Sequence, residues 1–162
     1  MRRVGLERSE TAVGAALAFV LVGADDPEYE GRVRIRSTVL GLQPVGEPAN
    51  RTGAPPREPG VTWKIVAPNG VTMALRARDF RDAEEARADI DRLTGRRGFR
   101  AVPVEDAATG RLSFWVVDGR RVVVVSLRLL PPTRRPMLRH EGRRVLEALR
   151  KGPQPVPEAD TE

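Results

Sequence analysis

The sequence predicts an α+β protein, a two-layer sandwich in which one antiparallel sheet carries two helices on one face. Three observations support this fold class. Short apolar runs are joined by Asn-Gly and Asp-Gly pairs, which favour β-hairpins. Two longer segments repeat apolar residues at helical spacing behind capping signals. The 162 residues, 40% of them hydrophobic, are enough for one compact core.

The first predicted element is a strand in the uncharged run of residues 11–23 (TAVGAALAFVLVG). Residues 32–40 (RVRIRSTVL) alternate apolar and basic side chains and are predicted to pair with it, so residues 1–40 form an N-terminal β-hairpin. Alternatively, residues 1–24 are a signal peptide and the protein is exported. Glu7 and Glu10 precede the run, where a signal peptide is cationic, which favours the hairpin and a cytoplasmic location.

Residues 41–60 are rich in proline and glycine and are predicted to form an exposed loop. Two strands follow, at residues 61–67 and 71–76. Asn69-Gly70 lies between them and predicts a type I′ turn, because both residues tolerate a positive φ.

A helix is predicted next. Asp82 is a candidate N-cap with Glu85 three residues later, and Gly95 ends the helix. Its inner face consists of the apolar residues at helical spacing, Ala83, Ala86, Ile90 and Leu93.

The pattern then recurs. Strands are predicted at residues 99–104, 111–117 and 120–128, with turns at Thr109-Gly110 and Asp118-Gly119, and a helix covers about residues 136–150. Its inner face is predicted from Leu138, Val145 and Leu149. Gly119 follows Gly70 by 49 residues, which indicates a duplicated strand–hairpin–helix region over residues 61–152, with units at 61–95 and 96–152.

Residues 63–70 (WKIVAPNG), residues 80–86 (FRDAEEA) and Ile90 resemble the YegP-like family of small bacterial and archaeal domains of unknown function. In that family a strand ends in an Ala-x-Asn-Gly turn, and a Tyr-Ser or similar pair opens a helix. Here Phe80 stands where Tyr is usual. The resemblance covers residues 61–93 well and residues 99–150 loosely. It implies an internal duplication with a shared sheet, and it implies no catalytic residues.

The residue inventory limits enzyme chemistry. The chain has no Cys and one His, His140, which excludes a Cys nucleophile, a thiolate metal site and a site with two imidazoles. Six acidic residues around the first helix offer oxygen ligands to a hard cation: Asp79, Asp82, Glu84, Glu85, Asp89 and Asp91. Interleaved arginines favour a solvated surface instead. We therefore predict no catalytic, cofactor or metal site, and a protein that is not an enzyme.

The positive charge is concentrated in one segment. The net charge of +6 arises from 14 basic and 5 acidic residues at positions 96–152, which gives +9, and from three acids in residues 153–162, a tail predicted to be disordered. The first 95 residues are neutral. The candidate anion contacts on the second helix are Arg134, Arg135, Arg139, Arg143 and Arg150, of which the middle three are four residues apart.

These observations predict a small noncatalytic binding or oligomerisation module of the YegP-like type, with a second copy of itself as partner and no cofactor. Nucleic acid or another polyanion, bound by the Arg-rich second helix, is the alternative partner. Only 4% of the residues are aromatic, so few platforms exist on which bases could stack. No membrane partner is predicted.

Overall fold

A computed structural model describes residues 17–46 and 60–153. Within these ranges the strands are β1 (Ala18–Gly23), β2 (Gln43–Pro44), β3 (Val61–Val66), β4 (Thr72–Arg76), β5 (Phe99–Glu105), β6 (Leu112–Asp118) and β7 (Arg121–Val125). The helices are α1 (Tyr29–Leu40), α2 (Ala83–Leu93) and α3 (Arg135–Lys151), and a 3-10 turn at Pro132–Arg134 leads into α3.

All seven strands form one antiparallel sheet in the order β1-β3-β4-β7-β6-β5-β2. The α+β class with an antiparallel sheet is thus confirmed. At its centre β4 pairs with β7, with Leu75 opposite Val125. In the chain, β3 and β4 are followed by α2, and β5, β6 and β7 are followed by α3. In the sheet, β1 lies beside β3 at one edge and β2 lies beside β5 at the other.

Both predicted hairpins form, but neither has the expected turn. Of the residues at the two turns, only Gly70 and Gly119 have a positive φ, at 89° and 65°. The Gly70 amide donates to the Ala67 carbonyl at 2.8 Å, so Gly70 closes a three-residue loop instead of a type I′ turn. Asp118 pairs with Arg121, so the second turn is centred on Gly119 and Arg120, as in a type II′ turn.

Helices α2 and α3 pack on the same face of the sheet, as predicted. Their buried residues join the main core, which includes Trp63, Phe114 and Val116 from the strands. Asp82 caps α2, because its side chain accepts from the Glu85 amide at 2.8 Å. The predicted inner residues of α3 are buried: Leu138, Val145 and Leu149.

The N-terminal hairpin prediction is wrong in its second strand. Residues 32–40 belong to α1, which packs on the opposite face of the sheet. There Val39 packs with Trp115 and Val117, and the Trp115 indole N–H donates to the Val39 carbonyl at 2.9 Å. The sheet is therefore covered on both faces, and the apolar run from Val122 to Val125 contributes to both cores.

The burial of Arg36 explains why residues 32–40 were predicted as a strand and not as part of a helix. Its buried side chains are Tyr29, Arg36 and Val39, which lie on one side of a helix. The strand interpretation counted Arg36 as exposed and Ile35 as buried. In the structure Arg36 is fully buried and Ile35 is 39% exposed.

The apolar N-terminal run contains a strand, as expected. Its described part includes β1, which pairs with β3, and Val22 is buried. Residues 11–16 of this run lie outside the described residues. The predicted loop at residues 41–60 contains a short strand, β2, which pairs with the end of β5. Residues 47–59 of that loop also lie outside the described residues, as do residues 154–162 of the C-terminal segment that was predicted to be disordered.

No helix in the described ranges is both long enough and apolar enough to cross a bilayer.

Candidate functional site

The exposed arginines of α3 share one side of the helix. Arg135, Arg139, Arg143 and Arg150 all line a single groove, and all four are exposed. The sequence spacing placed the first three in one row, because residues four apart lie on the same side of a helix. The structure adds that this row faces β5.

The groove lies between α3 and β5 and has a volume of about 570 Å³. We call it the arginine groove. Its residues fall into two chemical classes, arginine and apolar, and they are Phe99, Arg100, Ala101, Pro103, Phe114, Arg135, Leu138, Arg139, Gly142, Arg143, Leu146 and Arg150. None of them is acidic.

Gly142 brings α3 close to the sheet at the middle of the groove. A β-carbon at this position would stand 3.5 Å from the Ala101 Cβ and 3.9 Å from the Phe114 ring. Because the glycine has no side chain, the backbone of α3 approaches Ala101 and Phe114 closely there. The arginine groove therefore lies where α3 packs closely against the sheet.

The four arginines that α3 contributes to the arginine groove are available for a ligand. No ion pair joins Arg135, Arg139, Arg143 or Arg150 to another residue in the described part of the chain. Arginine stays charged at all physiological pH values and presents five donors, so it suits carboxylate, phosphate or sulfate groups. The apolar floor suits the hydrocarbon part of such a molecule.

Other basic residues lie outside this groove. Arg134 precedes α3, and its guanidinium approaches the Met137 sulfur at 3.6 Å. Arg120 and Arg121 are exposed at the β6–β7 turn and do not line the groove. His140 is exposed on α3 and also does not line it.

Four of the six acidic residues around α2 have structural partners: Asp79, Asp82, Glu85 and Asp89. Asp82 and Glu85 cap the helix, and the Glu85 carboxylate accepts from the Arg81 amide at 2.7 Å. Asp79 and Asp89 are buried, which corrects the interpretation of these two as solvated. No group of three or more His, Cys, Asp or Glu side chains in the described ranges is placed to hold a metal ion.

Asp89 is the centre of a buried ionic cluster. It accepts from the Trp63 indole at 2.8 Å, from Arg76 Nε at 2.8 Å and from Arg92 at 2.5 Å. Burial raises the pKa of a carboxyl group, but the hydrogen bond and charge of Arg76, with the hydrogen bonds of Trp63 and Arg92, outweigh it and lower the Asp89 pKa. Asp89 is thus held as a carboxylate.

A second cluster holds α1 against the sheet. Arg36 Nη1 contacts Asp79 Oδ1 at 3.0 Å, and the Tyr29 hydroxyl donates to Asp79 Oδ2 at 3.1 Å. Burial and the nearby Asp79 charge raise the pKa of Tyr29. Among the described residues, two donors of Arg36, Nε and Nη2, have no hydrogen-bond partner.

A cleft beside α2, of about 550 Å³, differs from the arginine groove in its charges. Its lining combines Arg78 and Arg92 with Glu85 and Asp89. Two arginines and two acidic residues line this cleft, and Asp89 accepts a hydrogen bond from Arg92. The cleft therefore has less net positive charge than the arginine groove.

Sequence reasoning found four of the five arginines of the groove and missed Arg100 and the apolar floor. Phe99 and Phe114 line the groove and were not among the predicted site residues. Gly142 was the available signal, because a glycine in the middle of a helix often marks close packing. The residue that the glycine faces, Ala101, depends on the tertiary structure.

No protein-family model, curated protein or solved structure matches the chain. The resemblance to the YegP-like family is neither supported nor contradicted, and it stays a prediction.

Proposed function

We propose that this protein is a noncatalytic binding module and that the arginine groove binds a molecule with an anionic group joined to an apolar body. One observation carries the proposal: a groove of about 570 Å³ combines an apolar floor with five arginines, and none of the described residues that line it is acidic. Specific small-molecule sites in proteins have volumes of roughly 300–1,000 Å³ and combine apolar walls with a few polar groups.

The chemistry of the lining supports binding over catalysis. Arginine does not exchange its proton near neutral pH and is not a nucleophile, so it holds an anion without transforming it. Each hydrogen bond between a guanidinium and an anion contributes about 1.5–3 kcal/mol. Arg139 and Arg143 lie on either side of Gly142, where α3 packs closely against Ala101 and Phe114, so we expect them to hold the anionic group.

Dansyl-labelled undecanoate tests this proposal, because it joins a carboxylate to a fluorescent apolar chain. We expect its fluorescence to rise on binding. Dodecanoate should displace it, and uncharged dodecanol should displace it less well. The double variant R139Q/R143Q should bind it at least about tenfold more weakly, since a loss of 1.4 kcal/mol corresponds to a factor of ten.

The matched control is Arg87→Gln, which removes an exposed arginine from α2 and leaves the groove unchanged. Circular dichroism establishes that each variant is folded. Equal affinity of the wild type and R139Q/R143Q would remove the arginine groove as the anion site. The full-length variant E158Q/D160N/E162Q, which removes the three acidic side chains of residues 153–162, is measured as well. If neither the wild type nor this variant binds the probe, the proposed function is contradicted.

Nucleic-acid binding by the same arginines is the second candidate. The exposed row on α3 favours it, because phosphate contacts require accessible cations. The aromatic residues beneath that row give it less support, since Phe99 and Phe114 are buried and offer no free ring face for stacking. Retention on immobilised DNA that falls with salt and depends on Arg139 and Arg143 would favour this candidate.

A second copy of the chain is the proposed protein partner. In the described part of the chain β1 pairs only with β3, so its outer edge leaves backbone groups unpaired, and Val20 is exposed there. Light scattering at two concentrations tests this proposal. A mass near 17.8 kDa at both would contradict it, and a dimer should dissociate on Val20→Lys.

We also propose that the protein acts in the cytoplasm. Export would require cleavage near residue 24, which would remove β1 from the sheet. An N-terminus still at Met1 in protein from the native cell would support the proposal, and cleavage near Ala24 would contradict it.

A further inference from the structure

The segment after α3 carries a charge pattern that matches the arginine groove. Residues 153–162 (PQPVPEADTE) contain three acidic side chains, at alternate positions, and no basic one. We call this segment the acidic tail. Its acids are Glu158, Asp160 and Glu162.

The two sets of charges have nearly the same spacing. In an extended chain, alternate residues are about 6.6–6.8 Å apart and point to the same side. Residues four apart on a helix are separated by about 6 Å along its axis. Arg135, Arg139 and Arg143 follow that spacing, so three acids of an extended segment can each face one arginine.

The acidic tail starts beside one end of the groove. Helix α3 ends at Lys151, one residue beyond Arg150 of the groove. Gly152 has a φ of 78° and a ψ of −179°, a conformation that residues other than glycine rarely adopt, so the chain leaves the path of α3 at this residue. A small depression of about 390 Å³, lined by Gly95, Arg97 and Arg150, adjoins this point.

The acidic tail is long enough to run back along α3 as far as the arginines of the groove. Pro153, Pro155 and Pro157 favour an extended conformation of about 3.1 Å per residue, so the six steps from Gly152 to Glu158 cover about 19 Å. Arg143 and Arg139 are eight and twelve residues before Lys151, about 12 and 18 Å along the helix. Glu158 therefore reaches this part of the groove even after a turn.

We propose that the acidic tail turns back at Gly152 and occupies the arginine groove antiparallel to α3, with its three acids facing Arg143, Arg139 and Arg135. Val156 and the neighbouring prolines contact the apolar floor. The tail is part of the same chain, so its effective concentration is in the millimolar range. Its regulatory consequence rests on the proposed function: an external ligand binds only when the tail is displaced.

A paramagnetic label tests the docking without any ligand. The chain contains no Cys, so Thr161→Cys gives one labelling site. In the full chain with a nitroxide at this position, we expect broadening of the NMR amide signals of α3 around Arg139. The broadening should disappear in E158Q/D160N/E162Q and at high salt. If the wild-type tail leaves the α3 signals sharp, the proposal is overturned.

Ligand competition tests the regulatory part. The full-length variant E158Q/D160N/E162Q should bind dansyl-labelled undecanoate about tenfold more tightly than the wild type, if the tail occupies the groove about 90% of the time. A synthetic peptide of residues 153–162 should restore weak binding to this variant. The control E30Q/E84Q/D91N changes the net charge equally at exposed positions on α1 and α2.

The outcomes separate the two proposals. If the labelled tail broadens the α3 signals but neither the wild type nor E158Q/D160N/E162Q binds the probe, the proposed function is contradicted and the contact of the tail with α3 is established. Equal probe binding by the wild type and E158Q/D160N/E162Q overturns the regulatory role. A gain of affinity also shown by E30Q/E84Q/D91N would mean that only net charge matters, which overturns the specific contact.

Discussion

Arg76 and Asp89 form a buried ion pair, with Arg76 Nε 2.8 Å from Asp89 Oδ2. The same guanidinium donates to the Val123 carbonyl at 2.8 Å. Arg76 lies in β4, Asp89 in α2 and Val123 in β7, so one side chain joins the two halves of the sheet to a helix that covers it.

Replacement of Asp89 by Asn should destabilise the protein. Arg76 and Arg92 would lose their charged partner, and breaking a buried pair on one side costs about 3–5 kcal/mol. Urea unfolding near pH 7 measures the change. Asp91→Asn is the control, because Asp91 is exposed on the same helix and should change stability by less than about 0.5 kcal/mol.

The cost of Asp89→Asn should shrink in acid. The pKa of Asp89 is lowered in the folded protein, whereas in the unfolded chain it is near 4. Its contribution to stability is therefore complete above about pH 4 and is lost as the pH falls through the lower, folded pKa. Urea unfolding at several pH values below about 4 measures this. A constant difference between the wild type and the variant would contradict the prediction.

Tyr29 should titrate above the ordinary tyrosine pKa of about 10. It is the one Tyr in the chain, so the ultraviolet absorbance of phenolate reports on this residue alone. The raised pKa implies that stability falls as the pH rises from about 10. Asp79→Asn should lower the Tyr29 pKa, because it removes the adjacent negative charge. A wild-type titration at or below the ordinary value would contradict the prediction.

Gly142→Ala should stabilise the protein by up to about 1 kcal/mol, because alanine is the better helix former. The added methyl group would be 3.5 Å from the Ala101 Cβ, an ordinary contact distance. Urea unfolding of the variant and the wild type measures the change. A loss of stability would show that α3 lies closer to β5 than the structure indicates.

Trp115→Phe should lower the stability by about 1 kcal/mol or more, because the Val39 carbonyl loses the indole donor. Hydrogen exchange provides a specific readout. The amides of α1 should lose more protection than those of α2, since the indole N–H of Trp115 donates to Val39 at the end of α1. Uniform loss of protection in both helices would contradict the specific role of the bond.

The second half of the fold could be predicted in detail from local patterns. The turn at Gly119 and the apolar runs of β6 and β7 gave the hairpin, and α3 was predicted to within one residue of its observed ends. Local patterns were not sufficient to predict the surroundings of Trp115. Phe114 and Trp115 are neighbours on one strand, so its alternation predicts that one of the two faces outward. In the structure both are buried, because Phe114 packs in the core beneath α3 and α1 covers Trp115.

The sequence by itself determined the hairpins, the two helices on one face, the row of arginines on α3 and the segment that carries the net charge. Each of these follows from residues close together in the chain, whose spacing sets which side of an element they occupy. The tertiary structure decided the burial of Arg36, because its partner Asp79 is 43 residues away. It also decided that the arginines of α3 border an apolar groove, because the floor comes from β5 and β6, which α3 meets closely at Gly142.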